Sequence, residues 1–318
     1  MSFAPFLRWF ALSVVACVAV AGAIVASAGP DLPAPHLSRS PSFNEKARWL
    51  RAQLAVSPGG EASCDVLAVG SSMTLNSLDA ARLARPGERA VNLGSFGVNP
   101  EDTVEMLPAV LARCRPRLVV MATYHGDFAN PRAEAKDINW PVFSDYVRGG
   151  SLWRAYGGEF DPYYLIERSL KAGDLHRTDT YQSMAFDAAG GVGLACSGFH
   201  RDPARWDGDL KEAMAEPRPQ ALAAMTRIAE MARAVGARLV VIVAPLRPRA
   251  ESAFYPQQRA ALWNAVGAAV APFGGILLRP AENASFTDGE FADFAHLNRC
   301  GRERWSAIVS ARAAEAGL

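Results

Sequence analysis

Five short apolar runs, separated by helical patterns, constrain this chain more than any other feature. They are Asp65–Val69, Ala90–Leu93, Arg117–Ala122, Arg238–Ala244 and Gly275–Arg279. Each is short, rich in Val, Ile or Leu, and bounded by Gly, Pro or polar residues. Such runs are typical of strands buried on both faces, which is the condition of a parallel sheet. Patterns with helical spacing lie at Asn99–Arg113, Gln220–Val235, Pro256–Ala271 and Arg302–Ala314. Strand and helix in alternation predict an α/β fold with a doubly wound, mostly parallel five-stranded sheet.

Residues 128–215 interrupt that alternation. No strong strand pattern occurs there, and a structureless loop of that length would be improbable. The segment reads as a helical and irregular insertion beside the sheet. Its aromatic residues include Trp140, Trp153, Tyr156, Tyr163 and Tyr164. They are expected to form the insertion's own small core, with a platform for stacking sugar rings as the alternative.

The amino end bears on the compartment. Trp9 to Gly29 carries no charge; Arg8 precedes it, and Pro30, Pro33 and Pro35 follow. At about 1.5 Å rise per residue, that stretch spans about 30 Å, the thickness of a hydrocarbon core. The expectation is an inner-membrane anchor, with Arg8 on the cytoplasmic side and the bulk of the chain facing outward. The rival is a signal peptide cleaved near Ala28, since Ala26-Ser27-Ala28 suits a peptidase. Either way residues 1–36 are anchor or leader plus linker, and residues 37–318 form the extracytoplasmic domain. Lys plus Arg is 33 against 32 Asp plus Glu. No basic excess points to nucleic acid, and the mean hydropathy of +0.03 excludes a polytopic membrane protein.

Export permits disulfides. Cys17 lies in the apolar segment, leaving Cys64, Cys114, Cys196 and Cys300. Cys64 and Cys114 precede strands that are neighbours in this fold class, so they are expected to pair. Cys196 would then pair with Cys300. No spacing among Cys and His matches a metal site, and no metal or cofactor is expected.

In an open α/β sheet, sites form beyond the carboxyl ends of the strands. The first run ends in Gly70-Ser71-Ser72, with a helix expected to follow. A Ser at this turn would point its hydroxyl into the crevice. Taken alone, a glycine stop followed by a Ser cap explains the same residues. A nucleophilic Ser also needs a base. Among His36, His125, His176, His200 and His296, only the last has a local partner pattern, in Asp293-Phe294-Ala295-His296. A carboxylate three residues before an imidazole can hold its tautomer and stabilise its protonated form.

Together these motifs resemble the SGNH (GDSL-like) hydrolase superfamily over about residues 62–127 and 236–314. The resemblance implies an SGNH, flavodoxin-like fold. It places the nucleophile at Ser72, with Ser71 standing where the family has Asp. It makes Asp293 and His296 the rest of the triad. The Ser72 N–H and, from Asn92-Leu93-Gly94-Ser95-Phe96-Gly97, the Gly97 N–H would form the oxyanion hole, with Gly94 a weaker candidate. The family's Gly-x-Asn-Asp block is absent. Thr123-Tyr124-His125-Gly126-Asp127 stands there, leaving Tyr124 or His125 to replace the missing Asn donor. Loss of such a donor costs about 3 kcal/mol of transition-state stabilisation.

Gly-Ser-Ser, an amino-terminal anchor and Asp-x-x-His-Leu-Asn look like a narrower set of envelope proteins, such as alginate O-acetyltransferases and the teichoic-acid D-alanylation protein. That resemblance implies O-acyl transfer or ester hydrolysis on a cell-envelope glycan or polymer through an acyl-Ser72 intermediate. It also implies a membrane-bound O-acyltransferase as partner. The alternative is a non-catalytic SGNH-like binding or assembly module of the same machinery.

Overall fold

The computed structural model describes residues 3–28, 32–55, 64–129, 137–157, 161–170, 175–179, 183–196, 217–247, 256–280 and 284–318. Gly29 and His200 lie outside them. Five strands form one sheet: β1 (Val66–Ala68), β2 (Ala90–Asn92), β3 (Leu118–Thr123), β4 (Arg238–Val243) and β5 (Ile276–Leu278). Their order is β2-β1-β3-β4-β5, and every pairing is parallel. This is the flavodoxin-like doubly wound order, with its switch point between β1 and β3. Four strands fall within the apolar runs expected to form them, and β3 runs one residue past its run, to Thr123.

The helices are α1 (Ala4–Ala28), α2 (Pro41–Gln53), α3 (Pro100–Leu111), α4 (Gly126–Ala129), α5 (Trp140–Val147), α6 (Leu152–Gly157), α7 (Pro162–Leu170), α8 (Pro219–Ala234), α9 (Pro256–Val270) and α10 (Arg299–Glu315). Alternate strand residues feed two cores. Leu67, Val119, Met121, Leu239 and Val241 pack with α2, α3, α8 and α9 on one face. Val66, Ala68, Val120, Val240 and Ile242 pack with Trp305 and Val309 of α10 on the other. The two-residue period of a strand divides the runs in this way. With both faces covered, no polar alternation is needed.

Helix ends follow their local chemistry. Asn99 caps α3 in a reciprocal capping box with Asp102, and Pro100 occupies the first turn. Asn298 caps α10 through the Gly301 N–H. α2 is an element the apolar patterning did not single out. Its signals are a Ser40 cap, Pro41 in the first turn and buried Phe43, Ala47 and Leu50 at helical spacing.

The insertion does not stand as a separate unit. α5 packs on α2 and α3. The turn containing the antiparallel Phe186–Val192 bridge extends the β2 edge, where the Asn92 N–H donates to the Ala189 carbonyl at 2.6 Å. Among the described residues, no helix is long and apolar enough to cross a membrane. The span expected at Trp9–Gly29 therefore lacks that support. α1 begins at Ala4, and several of its side chains from Ala21 onward lie outside the described residues.

Candidate active site

The turn after β1 is built on Gly70, Ser72 and Thr74. Gly70 takes φ 119°, a conformation open to glycine, and turns the chain away from the strand. Ser72 follows with ordinary helical angles, φ −56° and ψ −20°. No α-helix comes next, contrary to expectation. Met73–Ser77 forms a single wide π-type turn instead, a feature that often accompanies functional sites. Its cause is visible at Thr74. The Thr74 hydroxyl lies 2.8 Å from the Val69 carbonyl and 2.9 Å from that of Ala122, and it accepts the Ala122 N–H. These contacts hold the turn against β3 and leave its backbone little freedom to continue as a regular helix.

The segment before α10 supplies the partner. Asp293 Oδ1 accepts the N–H groups of Ala295 and His296, which curls Asp293–His296 into a tight turn. Asp293 Oδ2 lies 2.7 Å from His296 Nδ1, and His296 Nε2 lies 2.6 Å from Ser72 Oγ. With the carboxylate holding the proton on Nδ1, Nε2 is left to accept the Ser72 hydroxyl. Burial pushes the Asp293 carboxyl up. The adjacent His296 and the hydrogen bonds it and Ala295 donate outweigh that, and hold the group below the usual carboxylate range. Ser72 is 0% exposed and His296 3%. The Phe96 ring stands edge-on to His296 at 6.1 Å.

A second layer positions the turn. Ser71 Oγ accepts the Met73 N–H and donates to Asp127 Oδ2 at 2.9 Å, so Ser72 is bracketed by a fixed hydroxyl. Thr123 Oγ1 also donates to Asp127 Oδ2, at 2.8 Å. Across β2, Asn92 Oδ1 accepts the Gly94 N–H at 2.7 Å, and Asn92 Nδ2 donates to the Thr74 carbonyl at 2.9 Å. A Cβ on Gly94 would sit 2.5 Å from the Leu75 nitrogen, so the close approach requires glycine. The Asn92 carbonyl in turn accepts from the buried Lys46 of α2. Ser71, Asp127 and Lys46 escaped the sequence reading as positioning residues. The only signal for the first two was their place at the carboxyl ends of the neighbouring strands β1 and β3.

The oxyanion candidates fare differently. The Gly94 N–H is engaged by Asn92, and Gly97 stands at φ 78° in the turn between β2 and α3. Tyr124 and His125 are both buried at the end of β3. The Tyr124 ring folds back over Gly126, where a Cβ would lie 2.5 Å from its hydroxyl oxygen, and faces Phe294 at 6.4 Å. Burial, with a smaller contribution from Arg259, lowers His125 to about 3. His125 is therefore a neutral imidazole, fit to donate an N–H but not to carry charge.

Other expectations meet mixed outcomes. Cys196 and Cys300 form a disulfide with Cα atoms 5.5 Å apart, tying the insertion to the first turn of α10. Cys64 and Cys114 do not pair. They are buried free thiols, and the Cys64 thiol is pushed up by its hydrogen bond with Cys114 and by burial. Neighbouring strand ends bring the two side chains into one core without a bond between them. The aromatic platform dissolves: Tyr156, Tyr164 and Trp140 pack inward, whereas Trp153 and Tyr163 face outward. Among the described residues, no cluster of His, Cys, Asp or Glu is arranged to hold a metal ion.

The fold and site thus define a doubly wound α/β domain with a Ser–His–Asp hydrogen-bonded chain at the carboxyl edge of its sheet. No family model matches the chain, and no curated protein matches it. Among solved structures the chain is similar to one titled "Crystal Structure of TesA", at 18% identity, covering 77% of this chain and 95% of that one, with a TM-score of 0.40.

Proposed function

We propose that the protein is a serine-dependent acyl-transfer or ester-cleaving enzyme working through an acyl-Ser72 intermediate. One observation carries the reading. Two local turns with no reason of their own to meet, 224 residues apart, place Ser72 Oγ 2.6 Å from His296 Nε2, with Asp293 behind it. In the reaction, His296 Nε2 takes the Ser72 proton as Oγ attacks an acyl carbonyl, and Asp293 stabilises the imidazolium that forms. The N–H groups of Ser72 and Gly97 receive the oxyanion, with Tyr124 or His125 as a third donor. The leaving alcohol or thiol takes its proton from His296. Water as second acceptor gives an esterase, and a sugar hydroxyl gives a transferase.

The cell envelope is the proposed setting, with residues 37–318 outside the cytoplasm. The outward-facing apolar side chains of α1 and the Cys196–Cys300 bridge support it, since disulfides persist in oxidising compartments. An envelope glycan or polymer as acceptor, and a membrane-bound O-acyltransferase as source of the acyl group, follow from the resemblance of the motifs.

One observation favours a second reading, a non-catalytic binding module: the complete burial of Ser72. Mass spectrometry of the protein after incubation with p-nitrophenyl acetate separates the two. An acetyl adduct on Ser72 that disappears in His296→Ala supports the enzyme, and no adduct under any condition supports the binding module. Product analysis with added glycan then distinguishes transfer from hydrolysis.

A further inference from the structure

Helix α7 carries large apolar side chains on its solvent side. Tyr163, Ile166 and Leu170 leave 77%, 61% and 82% of their surfaces exposed. Their spacing puts them on one helix face. The polar work is done on the opposite side. There Arg168 is buried at 3.7 Å from Glu45, and the buried Tyr164 hydroxyl accepts from Asn44 Nδ2 at 2.8 Å. Trp153 of α6 is half exposed as well. A grouped apolar surface of this kind marks a contact site.

Two observations identify what covers it. The first is continuity. α6 packs against α1, where Phe6, Trp9, Phe10 and Val15 also face outward. The linker leaving α1 is pinned to the same helices. The Pro33 carbonyl accepts the Tyr156 hydroxyl at 2.7 Å, and His36 stacks on Tyr164 with ring centres 4.5 Å apart. The second is charge. A cleft of about 300 Å³ beside the patch is lined by Arg48 and Arg51 with Leu32, Leu152 and Tyr156, and Arg154 projects from α6 next to Trp153. The carboxylates paired at this edge are Glu45, Asp145 and Asp161, against the guanidinium groups of Arg48, Arg51, Arg154 and Arg168, so guanidinium leads by one among the described side chains. Aromatic side chains mixed with aliphatic ones, backed by arginines, suit the headgroup boundary of an anionic bilayer.

We propose that the α6–α7 face is a membrane-docking surface that seats in the interfacial layer of an anionic lipid bilayer beside α1, and so sets the orientation of the domain on the membrane. The inference rests on the membrane-held reading of α1, and is independent of chemistry at Ser72. The test uses the full chain with the photo-crosslinker p-benzoylphenylalanine at Tyr163, Ile166 or, as control, Glu303, which lies on the exposed side of α10. Each protein is reconstituted with vesicles of phosphatidylethanolamine and phosphatidylglycerol, floated and illuminated. The Cys196–Cys300 bridge, read by mass, verifies the fold of each variant. The expected result is lipid adducts at positions 163 and 166, their loss at 303, and a lower yield when phosphatidylglycerol is omitted. Protein that floats without adducts at 163 and 166, or that crosslinks there to a second copy or another protein, overturns this docking surface alone. Protein that does not float overturns it together with the membrane-held reading, and leaves the Ser72 adduct assay unaffected.

Discussion

Ser71 donates its hydroxyl to the Asp127 carboxylate at 2.9 Å, linking the residue before the proposed nucleophile to the turn that ends β3. The same Asp127 oxygen takes the Thr123 hydroxyl, and the same Ser71 oxygen takes the Met73 N–H. The carboxylate therefore fixes the turn that aims Ser72. Asp127→Ala should cost about 1–3 kcal/mol, because buried donors lose their acceptor. It should also lower ester turnover, with Asp127→Asn in between, since an amide oxygen can still accept. Denaturant unfolding and p-nitrophenyl acetate kinetics measure both effects.

Ser72→Ala and His296→Ala should each reduce that turnover by about 10⁴-fold or more, and the double variant should be scarcely worse, because such residues act as a unit. Additive losses would argue against a shared step. Asp293→Asn should also impair turnover, since Asp293 accepts three hydrogen bonds and keeps the Nδ1 proton in place.

Acid should destabilise the fold through His125. Burial lowers its pKa to about 3, whereas an unfolded histidine titrates near 6.5. Between those values the unfolded chain binds a proton that the folded one refuses. Stability contributed by neutral His125 is thus full above about pH 6.5 and falls by about 1.4 kcal/mol per pH unit below it. His125→Asn should flatten this slope between pH 6.5 and pH 5 in urea unfolding. An unchanged slope would mean that His125 is protonated in the folded state.

Breaking Cys196–Cys300, which closes a separation of 104 residues, should cost about 2–4 kcal/mol. Reductant should lower the wild-type Tm toward that of Cys300→Ser and leave the variant unmoved. Without reductant, Cys64 and Cys114 should resist alkylation in the folded protein and both react on unfolding, as free buried thiols. Failure of both to react would place a second bridge there.

Two glycines are irreplaceable for packing rather than for dihedral angle. A Cβ on Gly301 would meet the Glu290 carbonyl oxygen at 2.2 Å, and one on Gly94 the Leu75 nitrogen at 2.5 Å. Gly301→Ala and Gly94→Ala should each destabilise by about 1–3 kcal/mol through backbone displacement. Gly94→Ala should also reduce turnover, because the displaced backbone lies in the turn that begins at Ser72. Thermal melts alongside ester kinetics resolve the two effects.

The strands were legible because a parallel strand buried on both faces writes itself as an unbroken apolar run, and Val66–Ala68 or Arg238–Val243 needs no distant residue to be recognised. The caps at Asn99 and Asn298 are equally local. Ser72 and His296 stood out by motif and by their place at strand and helix ends. What the patterning could not supply was the path of side chains whose partners lie far along the chain. Arg168 turned inward to Glu45, Lys46 buried beneath Asn92, and Asp127 drawn to Ser71 are ordinary polar residues in sequence. Nothing within a few residues of them signals burial. The wide turn at Met73–Ser77 likewise depends on contacts to Ala122 across the sheet. The alternating elements and the candidate residues could be read along the chain, since they follow from dihedral preference and local hydrogen bonding. Which distant groups share a proton, which cysteines bond and which apolar residues face out depend instead on the order in which the strands assemble.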